Sequence, residues 1–135
     1  MAFVLDCSVA LAWIIPDEAS DDAASLLLRL QEEGAWVPEL WSLELANALL
    51  TAKRRRRLDA PQIERVRRDL QALPIEVDTE THVRALGALL ELADRRGLTV
   101  YDAAYLELAN RRGLPLATLD KKLRSACRQS GIATL

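Results

Sequence analysis

Short apolar runs alternate along the whole chain with longer stretches in which apolar residues recur every three or four positions. Residues 2–5, Ala35–Val37, Ile75–Val77, Leu116–Leu119 and Ile132–Thr134 are runs of strand length. The segments between them read as helices. The first covers about Ser8–Ile15 and ends at Pro16; the second covers 18–33, with Ala19, Ala23, Leu26, Leu27 and Leu30 on its apolar stripe and Gly34 closing it. Pro38 stands where a third helix would begin, a position at which its missing N–H does no harm, and that helix is expected to reach Arg57. Asp59, Ala60 and Pro61 restart the chain into a helix over 62–72, and Thr79 caps another through Arg96. ADRRGL (Ala93–Leu98) and ANRRGL (Ala109–Leu114) repeat one stop signal: arginines in the last turn, glycine at the left-handed cap, leucine behind it. Their flanks differ, so the likeness is convergent capping and not a duplicated domain. Helices over Tyr101–Arg112 and Lys121–Gln129 complete the series.

This alternation implies an α/β fold, with helices sandwiching a mainly parallel sheet of about five short strands. With 135 residues, half of them hydrophobic, the chain is expected to form one domain over 1–135. Its longest uncharged stretch, Cys7–Pro16, falls well short of the roughly 20 residues of a membrane helix. Asp6 interrupts any signal-peptide pattern, so a cytoplasmic protein is expected. Cys7 and Cys127 have neither metal-knuckle spacing nor a disulfide-rich setting and read as buried thiols.

A net charge of −2 conceals a bipolar chain. Residues 53–68 (KRRRRLDAPQIERVRR) carry eight basic side chains against two acidic ones, net +6, which leaves ten basic against eighteen acidic, net −8, elsewhere. Lys53, Arg54, Arg55, Arg56, Arg57, Arg65 and Arg68 are therefore candidate contacts for a polyanion such as RNA. The alternative is a solvated helix end whose arginines complement the helix dipole.

The acidic side chains are more telling. Asp6 is the only charge in the first sixteen residues, set in FVLDCSVALAW, and LATLD (Leu116–Asp120) repeats the pattern of an apolar run ending on an aspartate. Such carboxylates are costly to bury without a cation or several hydrogen bonds. Both fall at the carboxyl ends of expected strands, where parallel sheets place their sites. Asp102 opens a helix of mostly apolar residues, and Glu44 shares a face with Leu40, Asn47 and Ala48, so that Asn47 is placed to orient it. Each has a plainer role open to it: helix cap for Asp6 and Asp120, first-turn acid for Asp102, groove glutamate for Glu44. Together, four carboxylates would repel strongly unless a hard divalent ion such as Mg²⁺ or Mn²⁺ joined them, with Ser8 and Thr118 adding hydroxyls. His82 is the only histidine, which removes a two-histidine ribonuclease mechanism and makes a His-rich zinc site a poor fit. No glycine-rich phosphate loop occurs. Phosphodiester hydrolysis is the reaction that uses both an acidic metal cluster and a basic stripe.

FVLDCSVALAW, VPELWSLELANALL, LTVYDAAYLELA and LPLATLDKKLRSA, in this order from Met1 to about Leu135, closely resemble the PIN-domain family, specifically the VapC-type toxins of bacterial toxin–antitoxin pairs. The resemblance implies a three-layer α/β/α domain and an endoribonuclease dependent on Mg²⁺ or Mn²⁺. It also implies a homodimer, held inactive by a cognate VapB-type antitoxin whose tail crosses the active site. Carried over motif by motif, the site is Asp6, Glu44, Asp102 and Asp120, with Ser8, Asn47 and Thr118 in support. Cys7 departs from the alanine or threonine expected beside the first aspartate, and its side chain is expected to point away from Asp6. Residues 17–30 and 41–50 are expected to line the antitoxin groove. A housekeeping PIN nuclease of RNA maturation is the alternative within the family. Outside it, a phosphorelay receiver would need adjacent acids where Asp6-Cys7-Ser8 stands, and an aspartyl phosphatase would need an aspartate in place of Ser8. A non-catalytic module is disfavoured by intact acids in all four motifs.

Overall fold

The computed structural model describes all residues, 1–135. Four parallel strands form one sheet in the order β3-β2-β1-β4: β1 (Phe3–Leu5), β2 (Ala35–Pro38), β3 (Ile75–Asp78) and β4 (Leu116–Ala117). Phe3 lies level with Ala35 and Val4 with Leu116, which aligns the carboxyl ends. All three β1 side chains are fully buried, as they must be in a central strand covered on both faces. The expected fifth strand survives as a single parallel bridge between Leu116 and Thr134.

Helix α1 (Cys7–Ile14) follows β1 directly, and a 3₁₀ turn (Pro16–Glu18) leads into α2 (Asp21–Glu33), whose first turn is capped by the Ser20 hydroxyl. Pro38 belongs to the end of β2, level with Asp78, rather than to the next helix, because the parallel register with β3 extends that far. Helix α3 (Leu40–Arg54) stops short of Arg57, for Arg56 adopts a left-handed conformation at φ 59°. α4 (Ala60–Gln71) starts with the full capping box of Asp59 and Gln62 and buries none of its residues completely.

Residues 81–96 form a continuous helical stretch of α5 (Thr81–Arg84), a π-helical turn (Ala85–Leu89) and α6 (Leu90–Arg96). Thr79 does not cap it; the Asp78 carboxylate accepts from the Glu80 amide instead. Both arginine–glycine stops hold, Gly97 and Gly113 lying at φ 63° and 64°. Helix α7 (Val100–Arg112) is the central helix: every residue from Ala103 to Ala109 is buried. α8 (Lys121–Gln129) closes the fold. No helix is long and apolar enough to cross a membrane.

The chain builds β1, β2 and β3 outward in one direction, then returns to place β4 on the other side of β1. The order therefore reverses between β1 and β4. In an open parallel sheet the crevice beyond the carboxyl ends at such a reversal is where ligands bind.

Candidate acidic active site

Asp6 leaves β1 and enters this crevice 7% exposed. It occupies the capping position of α1, yet its carboxylate makes no cap bond. Instead Oδ2 accepts from the Ser8 and Thr118 hydroxyls, both at 2.7 Å. Thr118, fully buried just past β4, also accepts from the Asp120 amide at 3.0 Å, and Ser8 accepts from the Leu119 amide at 3.0 Å. These bonds lock the end of β4 to the start of α1 and leave Asp6 Oδ1 without a protein donor.

The other acids follow the same rule. Asp120 Oδ1 accepts from the Lys122 and Leu123 amides at 2.8 and 3.2 Å, an ordinary N-cap of α8, and its second oxygen has no protein donor. Glu44 Oε1 accepts from the Tyr105 hydroxyl at 2.5 Å, again leaving one oxygen open. Asp102 lies in the first turn of α7, whose cap is Thr99, so α1, α7 and α8 all begin at this pole and direct their positive dipole ends toward it.

Burial first, then the charges of Asp120 and Asp6, raise the Asp102 carboxyl above the ordinary range. Burial likewise raises Glu44, opposed by the Tyr105 hydrogen bond and reinforced by Asp6 and Asp102. Asp102 thus feels all three of the others. None of the four carboxylates takes part in a salt bridge, although the domain pairs most of its other partly buried acids with arginine.

This donor set suits a hard cation: carboxylate oxygens and hydroxyls, no imidazole, and a Cys7 thiol held protonated. No three acidic, histidine or cysteine side chains close into a ready-made metal cage. An ion here would be held by a few carboxylates with water completing its shell, the habit of Mg²⁺.

Asn47, expected to orient Glu44, is exposed and makes no side-chain hydrogen bond; the partner is Tyr105, from the neighbouring helix. Tyr105 lies one turn beyond Asp102, on the same face of α7. An aromatic at that position reads as core, and its hydroxyl meets Glu44 only through the tertiary approach of α3. Cys7 is the first residue of helix α1 rather than part of the strand-like segment expected for it. Burial pushes its thiol up to about 12 with Glu44 and Asp6 adding to the effect, which puts it within electrostatic reach of both. Cys127 is buried and free as expected.

Of the basic stripe, Lys53, Arg54, Arg55, Arg56, Arg65 and Arg68 are exposed. Arg57 is instead tied to Asp17 and Glu18 at 3.6 and 3.8 Å, which anchors the α3–α4 turn to the 3₁₀ turn. Glu44 and Arg54 are about 15 Å apart along α3, so the stripe starts nearly three helical turns from the acids. The segments 17–30 and 41–50 do not share one groove. Leu27 of α2 lines a cleft of about 790 Å³ with Trp13, Leu58 and Leu73, while Trp41, Leu45 and Leu49 of α3 line another of about 620 Å³ with Ile75 and Val77; α4 stands between them.

The PIN domain profile matches residues 3–129. The chain is 32% identical over 123 residues to Ribonuclease VapC3 of Pyrobaculum aerophilum, covering 91% of this chain and 92% of that protein. Its fold is similar to the crystal structure of PAE2754 from the same organism, with TM-score 0.72 and 25% identity, over 99% of this chain and 83% of the other. It is also similar to VapBC2 of Rickettsia felis, solved bound to a DNA fragment from its promoter, with TM-score 0.69 and 16% identity over 100% and 98% of the two chains.

Proposed function

The chain belongs to the PIN-domain family, and on that premise we propose that it is a VapC-like endoribonuclease toxin that hydrolyses RNA phosphodiester bonds at the acidic pole and is neutralised by a VapB-type antitoxin. The observation that carries this reading is the convergence of Asp6, Glu44, Asp102 and Asp120 without a paired cation, three of them with one oxygen anchored and one open.

The carboxylates would hold Mg²⁺ or Mn²⁺, which supplies an activated water and stabilises the departing oxygen. The chain's own residues do the rest. Ser8 and Thr118 aim Asp6, the α8 amides aim Asp120, and the dipoles of α1, α7 and α8 offset part of the gathered charge. The unpaired arginines beyond α3 draw the RNA backbone toward a pole that would otherwise repel it.

Two further features support partners. Val83, Leu86 and Leu90, 74%, 91% and 52% exposed, follow one face of the 81–96 helical stretch, a surface suited to a homodimer. The two apolar clefts beside α4 suit apolar segments of an antitoxin, with a basic antitoxin side chain reaching the acids. Work in the cytoplasm, on cellular RNA, follows from the same reading.

The test is incubation of purified, antitoxin-free protein with total RNA and Mg²⁺ or Mn²⁺, with new ends mapped. Defined internal cuts that vanish on chelation are expected. Intact RNA, or cleavage that survives exhaustive chelation, would overturn the proposal.

A further inference from the structure

Tyr105 is fully buried on α7, and its hydroxyl has a single partner, Glu44 Oε1 on α3. A hydroxyl sealed from water costs free energy unless it finds an acceptor. Here the only acceptor is one of the four site acids, so packing of the ring decides where that carboxylate stands. The phenol supplies the proton of this bond, and an ionised carboxylate can only accept it. Without it, little would hold Glu44 inward. Glu44 has no cation, Asn47 makes no bond to it, and Asp6 and Asp102 repel it from within, while water lies on the outer side of α3.

We infer that Tyr105 is a positioning residue, whose hydroxyl pins the Glu44 carboxylate at the acidic pole with one oxygen open and so governs divalent-ion affinity and turnover. The inference rests on the ribonuclease reading of that pole. The arrangement parallels the Ser8–Thr118 clamp on Asp6, with one difference: that clamp joins the first turn of α1 to the segment just past β4, whereas Tyr105 fastens α3 to the central helix.

Tyr105→Phe keeps the ring and removes the bond. It should fold, weaken Mn²⁺ binding about tenfold by calorimetry and lower kcat by about tenfold, the usual scale for losing a ligand's orienting partner, with KM for RNA unchanged. In a Glu44→Ala background the same substitution should cause no further loss, because the hydroxyl acts only through the carboxylate. Wild-type Mn²⁺ affinity and kcat in Tyr105→Phe would overturn the inference, as would an equal loss in the Glu44→Ala background. Should Tyr105→Phe not fold, Glu44→Asp draws the acid back from the hydroxyl without disturbing the ring. The same tenfold loss of Mn²⁺ affinity is then expected, and unchanged affinity overturns the inference. Absence of Mn²⁺ binding or RNA cleavage in the wild-type arm would instead remove the ribonuclease reading, and this inference with it.

Discussion

Asp6 and Asp78 are both buried aspartates at strand ends, and the fold gives them opposite surroundings. Asp78, 1% exposed, receives Arg111 in a two-pronged contact at 2.7 and 3.0 Å and Arg112 at 3.0 Å, while Arg112 also stacks on Trp36. The Arg111 hydrogen bonds hold its carboxyl down at about 2. Because the folded value lies below the unfolded 3.8, the stabilisation is complete above that pH and disappears as pH falls through about 2. The shift corresponds to about 2 kcal/mol. Denaturant melts should therefore show Asp78→Asn well below wild type at pH 6 and the gap closing near pH 2; a constant gap would contradict the ion-pair account. Asp6 is met only by hydroxyls. Thr118→Val, close in shape, should cost about 1–3 kcal/mol by leaving the Asp120 amide unmet, and should slow RNA cleavage as Asp6 loses half its clamp. Full activity in that variant would show that the clamp is dispensable. Asp6 was legible in the sequence because a charge inside an apolar run needs a reason. Tyr105 was not, because an aromatic on the apolar side of a helix reads as core, and only the tertiary approach of α3 turns its hydroxyl toward Glu44.

At the scale of elements, the amphipathic periods and arginine–glycine stops located the helices, and the misjudged ends are those decided by neighbours. Pro38 reads as a helix start until β3 pairs alongside it. Ile132–Thr134 reads as a strand, but β4 ends at Ala117 when the chain turns to deliver Thr118, so one bridge remains. The Arg57 side chain reads as part of the basic stripe, and its ion pairs with Asp17 and Glu18 depend on an approach invisible in one dimension. Arg54, Arg55 and Arg56 are exposed and unpaired at the end of α3. Replacing all three with serine should weaken RNA binding and flatten its salt dependence by roughly 0.7 in log–log slope for each phosphate no longer neutralised. Turnover at saturating RNA should change much less, since these side chains stand about 15 Å along α3 from Glu44. An unaltered salt slope would assign the stripe to solvent or to a protein partner.

At the scale of the molecule, the reversal of strand order between β1 and β4 explains why acids dispersed from Asp6 to Asp120 share one pole. Two helix caps, a first-turn residue and a helix side supply them. The α/β class and these four acids could be read from motifs, whereas the separation of two apolar clefts by α4 could not, because α4 is amphipathic whether or not it seats fully. Co-expression with a neighbouring small open reading frame should yield a stable complex without RNA cleavage; failure of any encoded neighbour to bind or to relieve toxicity would favour a housekeeping nuclease. Thermal melting of wild type and Asp102→Asn, with and without Mn²⁺, asks whether these mutually repelling carboxylates are held together for a divalent cation. In chelator the variant should melt at or above wild type, since it sheds one of the repelling charges. At Mn²⁺ a hundredfold above its dissociation constant wild type should gain about 2.7 kcal/mol, a rise of several degrees, and the variant much less. Equal gains in both proteins, or none in wild type, would contradict the account.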